Sequence, residues 1–223
     1  VDRPPRDRSG FEAVSFEIDS ADGEQTLQEV IVAFTGSNDD ADWKGTNFGA
    51  DLRAYRLARR YLKALASQRR YHGVRLVVAG FSLGGALAVH VTKHRETSTF
   101  VAEAWVFNPS PKTWVSGRLD RRIWLAAVQG EALHFARNRF VAALMPGVQP
   151  IGAPRAQTAE GFYLLEANPV YRHFRWVLTR NMLYAADLAL MADQPDAPTT
   201  EPLQILKASH FASCTDSTHD PSN

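Results

Sequence analysis

A chain of 223 residues, 45% apolar and 22% charged with aromatics spread along it, can bury one sizeable core and does not have the composition of a disordered polypeptide. Its 25 basic and 24 acidic residues leave a formal net charge of +1, which excludes a global field that would recruit nucleic acid. The single cysteine, Cys214, excludes an internal disulfide framework and sits in a polar stretch that makes it a poor nucleophile.

Taken in chain order, Val1 to Arg6 lacks the apolar core of a signal peptide, and residues 1–9 read as a flexible start. Gly10 to Ile18 is rich in β-formers, Glu29 to Thr35 is a short apolar run, and Ala21-Asp22-Gly23 between them is a turn signal, so a hairpin or two neighbouring strands are expected. Asp51 to Arg70 is helical in pattern: Leu52, Tyr55, Ala58, Leu62 and Leu65 recur every three to four residues, with the arginines between them on a solvated face. Val74 to Ala79 then reads as a buried strand, followed at once by Gly80-Phe81-Ser82-Leu83-Gly84-Gly85 and a helical run from Ala86 to Arg95.

Two further strands, Val101 to Phe107 and Arg122 to Val128, continue the alternation and predict an α/β fold whose mainly parallel sheet is flanked by helices. Residues 133–162 lack one clean period and are expected as a lid or insertion, and Tyr171 to Ala192 as the last helix. The most apolar part of that helix, Asn181 to Ala192, is too short to span a bilayer and contains Asp187. One domain over residues 1–193 and a loosely structured tail over 194–223 follow, in a soluble protein whose export would use a route independent of a signal peptide.

The chemistry is concentrated at Ser82. A serine hydroxyl is a weak nucleophile and must be held exposed beside a base and near donors for an oxyanion. The G-x-S-x-G turn between strand and helix does this by forcing the serine out of the sheet, while Gly80 and Gly84 remove side chains that would collide. Leu83, at the helix start, then carries an unpaired N–H where negative charge is welcome, a natural oxyanion donor. This is the nucleophile arrangement of a serine hydrolase with the α/β-hydrolase fold.

The stretch Gly80-Phe81-Ser82-Leu83-Gly84-Gly85-Ala86-Leu87-Ala88 resembles the elbow of the class 3 lipases and related bacterial phospholipases. A second block, Val32-Ala33-Phe34-Thr35-Gly36-Ser37 with Asp42-Trp43 and Asn47 beyond it, is similar to that family's strand, oxyanion turn and Asp-Trp pair. Thr35 stands where the family usually has Arg. The resemblance runs from Gly10 to Glu131 and fades over the last third; it implies Ser37 as the second oxyanion donor.

The chain order of this fold is Ser, then Asp or Glu, then His. Glu131 follows Gly130 at the end of the strand after the Asn108-Pro109-Ser110-Pro111 loop, where the family typically has Gly-Asp, and the resemblance makes it the acid. Asp120 competes, but it lies before that strand among Arg118, Arg121 and Arg122. Of the seven histidines, His72, His90 and His94 lie too close to the elbow in chain order, His134 is three residues from Glu131, and His219 is near the chain end. His173, after a segment that resembles the family's histidine loop, is the base taken first, with His210 as the alternative.

No cofactor or metal is required, since no Cys, His and carboxylate cluster has zinc-site spacing. The resemblance implies a lipid ester as substrate, phospholipid before neutral lipid, met at a membrane surface. Arg121 to Leu133 and the Asn108 loop also resemble bacterial lipase-type effectors, which implies a cognate immunity protein as partner. A short-chain esterase or thioesterase, and a non-catalytic binding protein of the same fold, stand as the alternatives.

Overall fold

The computed structural model describes residues 11–20, 26–36, 52–134, 136–137, 147–163 and 167–193. Six strands lie side by side in sequence order: β1 (Ala13–Asp19), β2 (Leu27–Phe34), β3 (Arg75–Phe81), β4 (Glu103–Phe107), β5 (Ile123–Val128) and β6 (Thr158–Phe162). The first pair is antiparallel, and every pair from β2 to β6 is parallel.

A parallel sheet that grows always toward the same edge, with right-handed crossovers, puts its crossover helices on one face. The helices α1 (Arg53–Ala66) and α2 (Leu83–Lys93) supply Tyr55, Leu62, Leu87 and Val91 to the core shared with Val30, Val32, Val78, Val106 and Ile123 of the strands. Ala54, Tyr55, Ala58, Leu62 and Leu65 form the buried stripe of α1, each large side chain contributing about 1.5–3 kcal/mol. Helix α2 is buried from Leu83 through Thr92, and its run of Gly84, Gly85, Ala86 and Ala88 lets it lie close on the strands.

The opposite face is covered differently. Val177 and Leu178 of the last long helix, named α4 below, pack on Ala126 and Val128 of β5, with Phe107, Phe162, Trp176 and Met182 around them. Towards β1 and β4 the same face leaves Phe16, Ile18 and Trp105 exposed, with Trp105 stacked on Trp124.

Two expectations change. The last helix is two: α3 (Pro169–His173), N-capped by Asn168, and α4 (Arg175–Asp193), separated by Phe174 in an extended conformation. The segment expected as a lid over 133–162 is partly sheet, because Thr158–Phe162 forms the edge strand β6. A half-exposed edge strand with a glycine in it carries no apolar run, so its signal in the sequence is weak. Val148 also bridges to Lys112, and Ile151 is buried in the main core. The apolar Phe135, Phe140, Val141, Leu144 and Met145 of that segment lie outside the described residues, as do residues 1–9 and 194–223.

Among the described residues no helix is long and apolar enough to cross a membrane.

Candidate active site

Strand β3 runs straight into helix α2 through one residue, Ser82, whose backbone adopts φ 55 and ψ −119. A non-glycine residue in that region is strained by about 1–3 kcal/mol and persists only where its surroundings over-determine it. Here they do: Ser82 N–H donates to Phe107 O at 2.9 Å, and Ser82 O accepts from Ser110 N–H at 2.9 Å and Ala86 N–H at 3.2 Å. The glycines on either side are obligatory. A Cβ on Gly80 would stand 2.2 Å from the Gly84 carbonyl, and one on Gly84 would stand 2.1 Å from Phe34 O. Ser82 does not use its hydroxyl to cap α2.

That hydroxyl instead lies 2.9 Å from His173 Nε2, and His173 Nδ1 lies 2.5 Å from Glu131 Oε2. All three are buried, at 4%, 6% and 2% exposure. Because Nδ1 faces a carboxylate, it carries the proton, which leaves Nε2 free to accept from the serine. Glu131 follows Gly130, whose φ of +69 turns the chain at the end of β5. Burial opposes ionisation of Glu131, but the His173 hydrogen bond, the Arg137 charge, the His173 charge and the Leu133 N–H together hold its carboxyl below the usual range.

Backbone contacts stitch the acid turn to the histidine helix. Ala132 N–H donates to Pro169 O at 2.9 Å, and Arg172 Nη1 donates to Gln129 O at 3.4 Å. Beneath them sits Asn108, fully buried, with φ 41 at the end of β4. Its Oδ1 accepts from Val128 N–H at 2.8 Å and its Nδ2 donates to His173 O at 3.4 Å, so one side chain spans the exits of β4 and β5 and the histidine.

The other sequence candidates are distributed as follows. Leu83 is the first residue of α2, and its N–H is one of the donors that a helix start leaves without an intrahelical partner. Ser37 and His210 lie outside the described residues. Gly36, the neighbour of Ser37, is beside Ser82: a Cβ on it would stand 3.4 Å from Ser82 Cβ. Asp120 precedes β5, at the opposite end of that strand from Glu131, and is held by Arg122 Nη2 at 2.7 Å. His90 is a core residue, its Nδ1–H directed at Thr113 O at 2.8 Å and its Nε2 accepting from Arg59 Nη1 at 2.8 Å.

Two participants were not singled out from the sequence. Asn108 carries a faint signal, since Asn tolerates a left-handed backbone and precedes a proline. Arg137 carries none, lying in a stretch without period, yet its Nη2 is 2.6 Å from Glu131 Oε1. Among the described residues no three His, Cys, Asp or Glu side chains are grouped to hold a metal ion.

Two adjoining cavities share the wall formed by Phe81, whose ring lies 5.3 Å from that of His173; Ser82, His173 and Glu131 themselves line neither. The larger, about 480 Å³, runs over the open sheet face past Val14, Phe16, Ala33 and Phe34. The smaller, about 280 Å³, runs along α4 past Leu178, Thr179, Met182 and Leu183. Phe81, Phe107 and Arg175 line both. Tyr163, Val170, Tyr171 and Phe174 are exposed around the histidine helix.

A family model for a phospholipase-like, Tle-like phospholipase domain matches residues 3–162, which include Ser82 and Glu131 and end before His173. No curated protein and no solved structure matches the chain.

Proposed function

The chain belongs to the Tle-like phospholipase domain family, and from that premise we propose that it is a serine lipid-ester hydrolase of the α/β-hydrolase fold, cleaving phospholipid through an acyl-enzyme on Ser82. The observation that carries this reading is the unbroken chain from Ser82 Oγ through His173 to Glu131, at 2.9 and 2.5 Å. In the proposed cycle Ser82 Oγ attacks the acyl carbonyl and passes its proton to His173 Nε2, while Glu131 steadies the imidazolium. The N–H groups of Leu83 and Ser37 receive the oxyanion. The tetrahedral intermediate expels the alcohol, which takes the proton from His173; water, losing a proton to the same nitrogen, then attacks the acyl-enzyme, and the second intermediate releases the acid as Ser82 Oγ takes that proton back.

The apolar cavities that share Phe81, the residue before Ser82, support an acyl chain as the bound group, and Arg175, on the wall they share, supports an anionic head group. The exposed Tyr163, Val170, Tyr171 and Phe174 fit the rim that would meet a membrane surface. The resemblance to bacterial lipase-type effectors extends the proposal to delivery against a competitor that lacks a cognate immunity protein. Ser82-dependent killing, relieved by one co-expressed partner, is the outcome expected of that role.

The central test is labelling by a fluorophosphonate together with fatty-acid release from phosphatidylglycerol vesicles. Wild type is expected to label and to release fatty acid, and Ser82→Ala to do neither. Labelling with rapid turnover of short soluble esters and no attack on vesicles would favour a short-chain esterase. An inert wild type would favour a binding protein.

A further inference from the structure

Only one of the two Glu131 oxygens faces His173; the other faces Arg137. Resting on the reading of Ser82, His173 and Glu131 as the reacting set, we propose that Arg137 is a positioning residue for hydrolysis. It restrains the Glu131 carboxylate beside the imidazole by a buried ion pair and offsets part of the negative charge that the imidazole experiences.

The contacts are specific. Arg137 Nη2 lies 2.6 Å from Glu131 Oε1, with side-chain exposures of 6% and 0%. On the other oxygen, Glu131 Oε2 meets His173 Nδ1 and accepts from Leu133 N–H at 2.8 Å. The Arg137 contact is a close ion pair without the alignment of a hydrogen bond, so it restrains the carboxylate through charge while His173 and the Leu133 N–H hold the other oxygen. The same guanidinium donates through Nη1 to Pro109 O at 3.0 Å. Pro109 follows Asn108, which holds His173 O, and precedes Ser110, whose N–H binds Ser82 O. Arg137 therefore ties the acid to the loop that braces the nucleophile, a task for a planar fork that a lysine performs only in part.

A buried ion pair is weak grounds for stability, because desolvation consumes most of the attraction. The charge has a second consequence. A carboxylate beside an imidazole favours the protonated ring, which cannot accept from Ser82, and a cation on the far oxygen opposes that. Among the described residues, Glu160 of β6 also faces Arg137, 3.5 Å from its Nε.

The experiment is the pH dependence of fluorophosphonate labelling, which needs no knowledge of the lipid, in wild type, Arg137→Met, Arg137→Lys and Glu160→Gln, each shown to be folded by its thermal transition. For Arg137→Met, labelling is expected to slow by about 10²-fold and its acid limb to move upward by about one pH unit. Arg137→Lys should return the limb to its wild-type position and recover part of the rate. Glu160→Gln, on an exposed edge, should move the limb slightly the other way, and it serves as the deciding variant if Arg137→Met does not fold.

A slowed variant with an unmoved acid limb, or Arg137→Lys no better than Arg137→Met, reduces Arg137 to a structural ion pair and overturns the proposal. In both cases the Ser82 chemistry survives in wild type. A wild type that shows no Ser82-dependent labelling overturns both readings together.

Discussion

From Arg75 to Lys93 the strand, Ser82 and the helix follow without interruption, and the main steric demand at Gly80 comes from Gly84, four residues on. The other half of the site is assembled at a distance: His173 reaches Ser82 across 91 positions and Glu131 across 42. The turn is rigid because a side chain at Gly80 or Gly84 would overlap backbone atoms. Glu131 and His173 are held by contacts between separate loops, made through Asn108, Ala132, Pro169 and Arg137. Damage to the first region should therefore register in folding, and damage to the second in catalysis.

The largest effect expected is at the point where the two regions meet. Ser82→Ala and His173→Ala should each lower kcat/KM by about 10⁴-fold or more, and the double variant should be little worse than either, because residues acting as one unit are not additive. Initial rates on a soluble ester measure this, and a double variant far below both singles would separate the two halves. Glu131→Gln comes next, with a loss of about 10³–10⁴-fold in kcat.

The contrast sharpens in thermal unfolding. Gly84→Ala puts a methyl group 2.1 Å from Phe34 O, so the protein should fail to fold or melt roughly 10 °C lower. His173→Ala should stay within about 4 °C of wild type. A Gly84→Ala protein as stable as wild type would remove the distinction.

Beyond the reacting atoms, Thr179→Trp should fill the cavity along α4 and cut turnover of long-chain esters by about tenfold, while short esters are spared. A chain-length profile left unchanged would argue against that cavity as the acyl site.

The smallest effect belongs to His90, a core histidine outside the proposed reacting set. Burial pushes the His90 pKa down to about 4 from 6.5. Between those values the unfolded chain binds a proton that the folded one refuses, so stability falls as pH drops through the window. In His90→Gln the urea midpoint should fall less steeply from pH 6.5 to 4.

Where each feature left its mark follows from how it is built. The antiparallel β1 and β2, the stripe on α1 and the buried β3 repeat their pattern within a few residues, so they could be read from composition and period. Strand β6 could not, because an edge strand buried on neither face has no contrast between its sides. The break at Phe174 was hidden as well, since the apolar residues continue through it while the backbone does not.

The sequence alone was enough to single out Ser82 as the candidate nucleophile. A glycine-framed serine between strand and helix is a local steric device, complete within nine residues. Chain order and family likeness then narrowed the acid to Glu131 before Asp120, and the base to His173 before His210. Only the tertiary structure decided that Glu131 and His173 meet at Ser82, that Asp120 lies at the far end of its strand, and that Asn108 and Arg137 belong to the same cluster. Those contacts join residues tens of positions apart, and nothing in the spacing of a chain records which of its loops the packing of a sheet will bring to one edge.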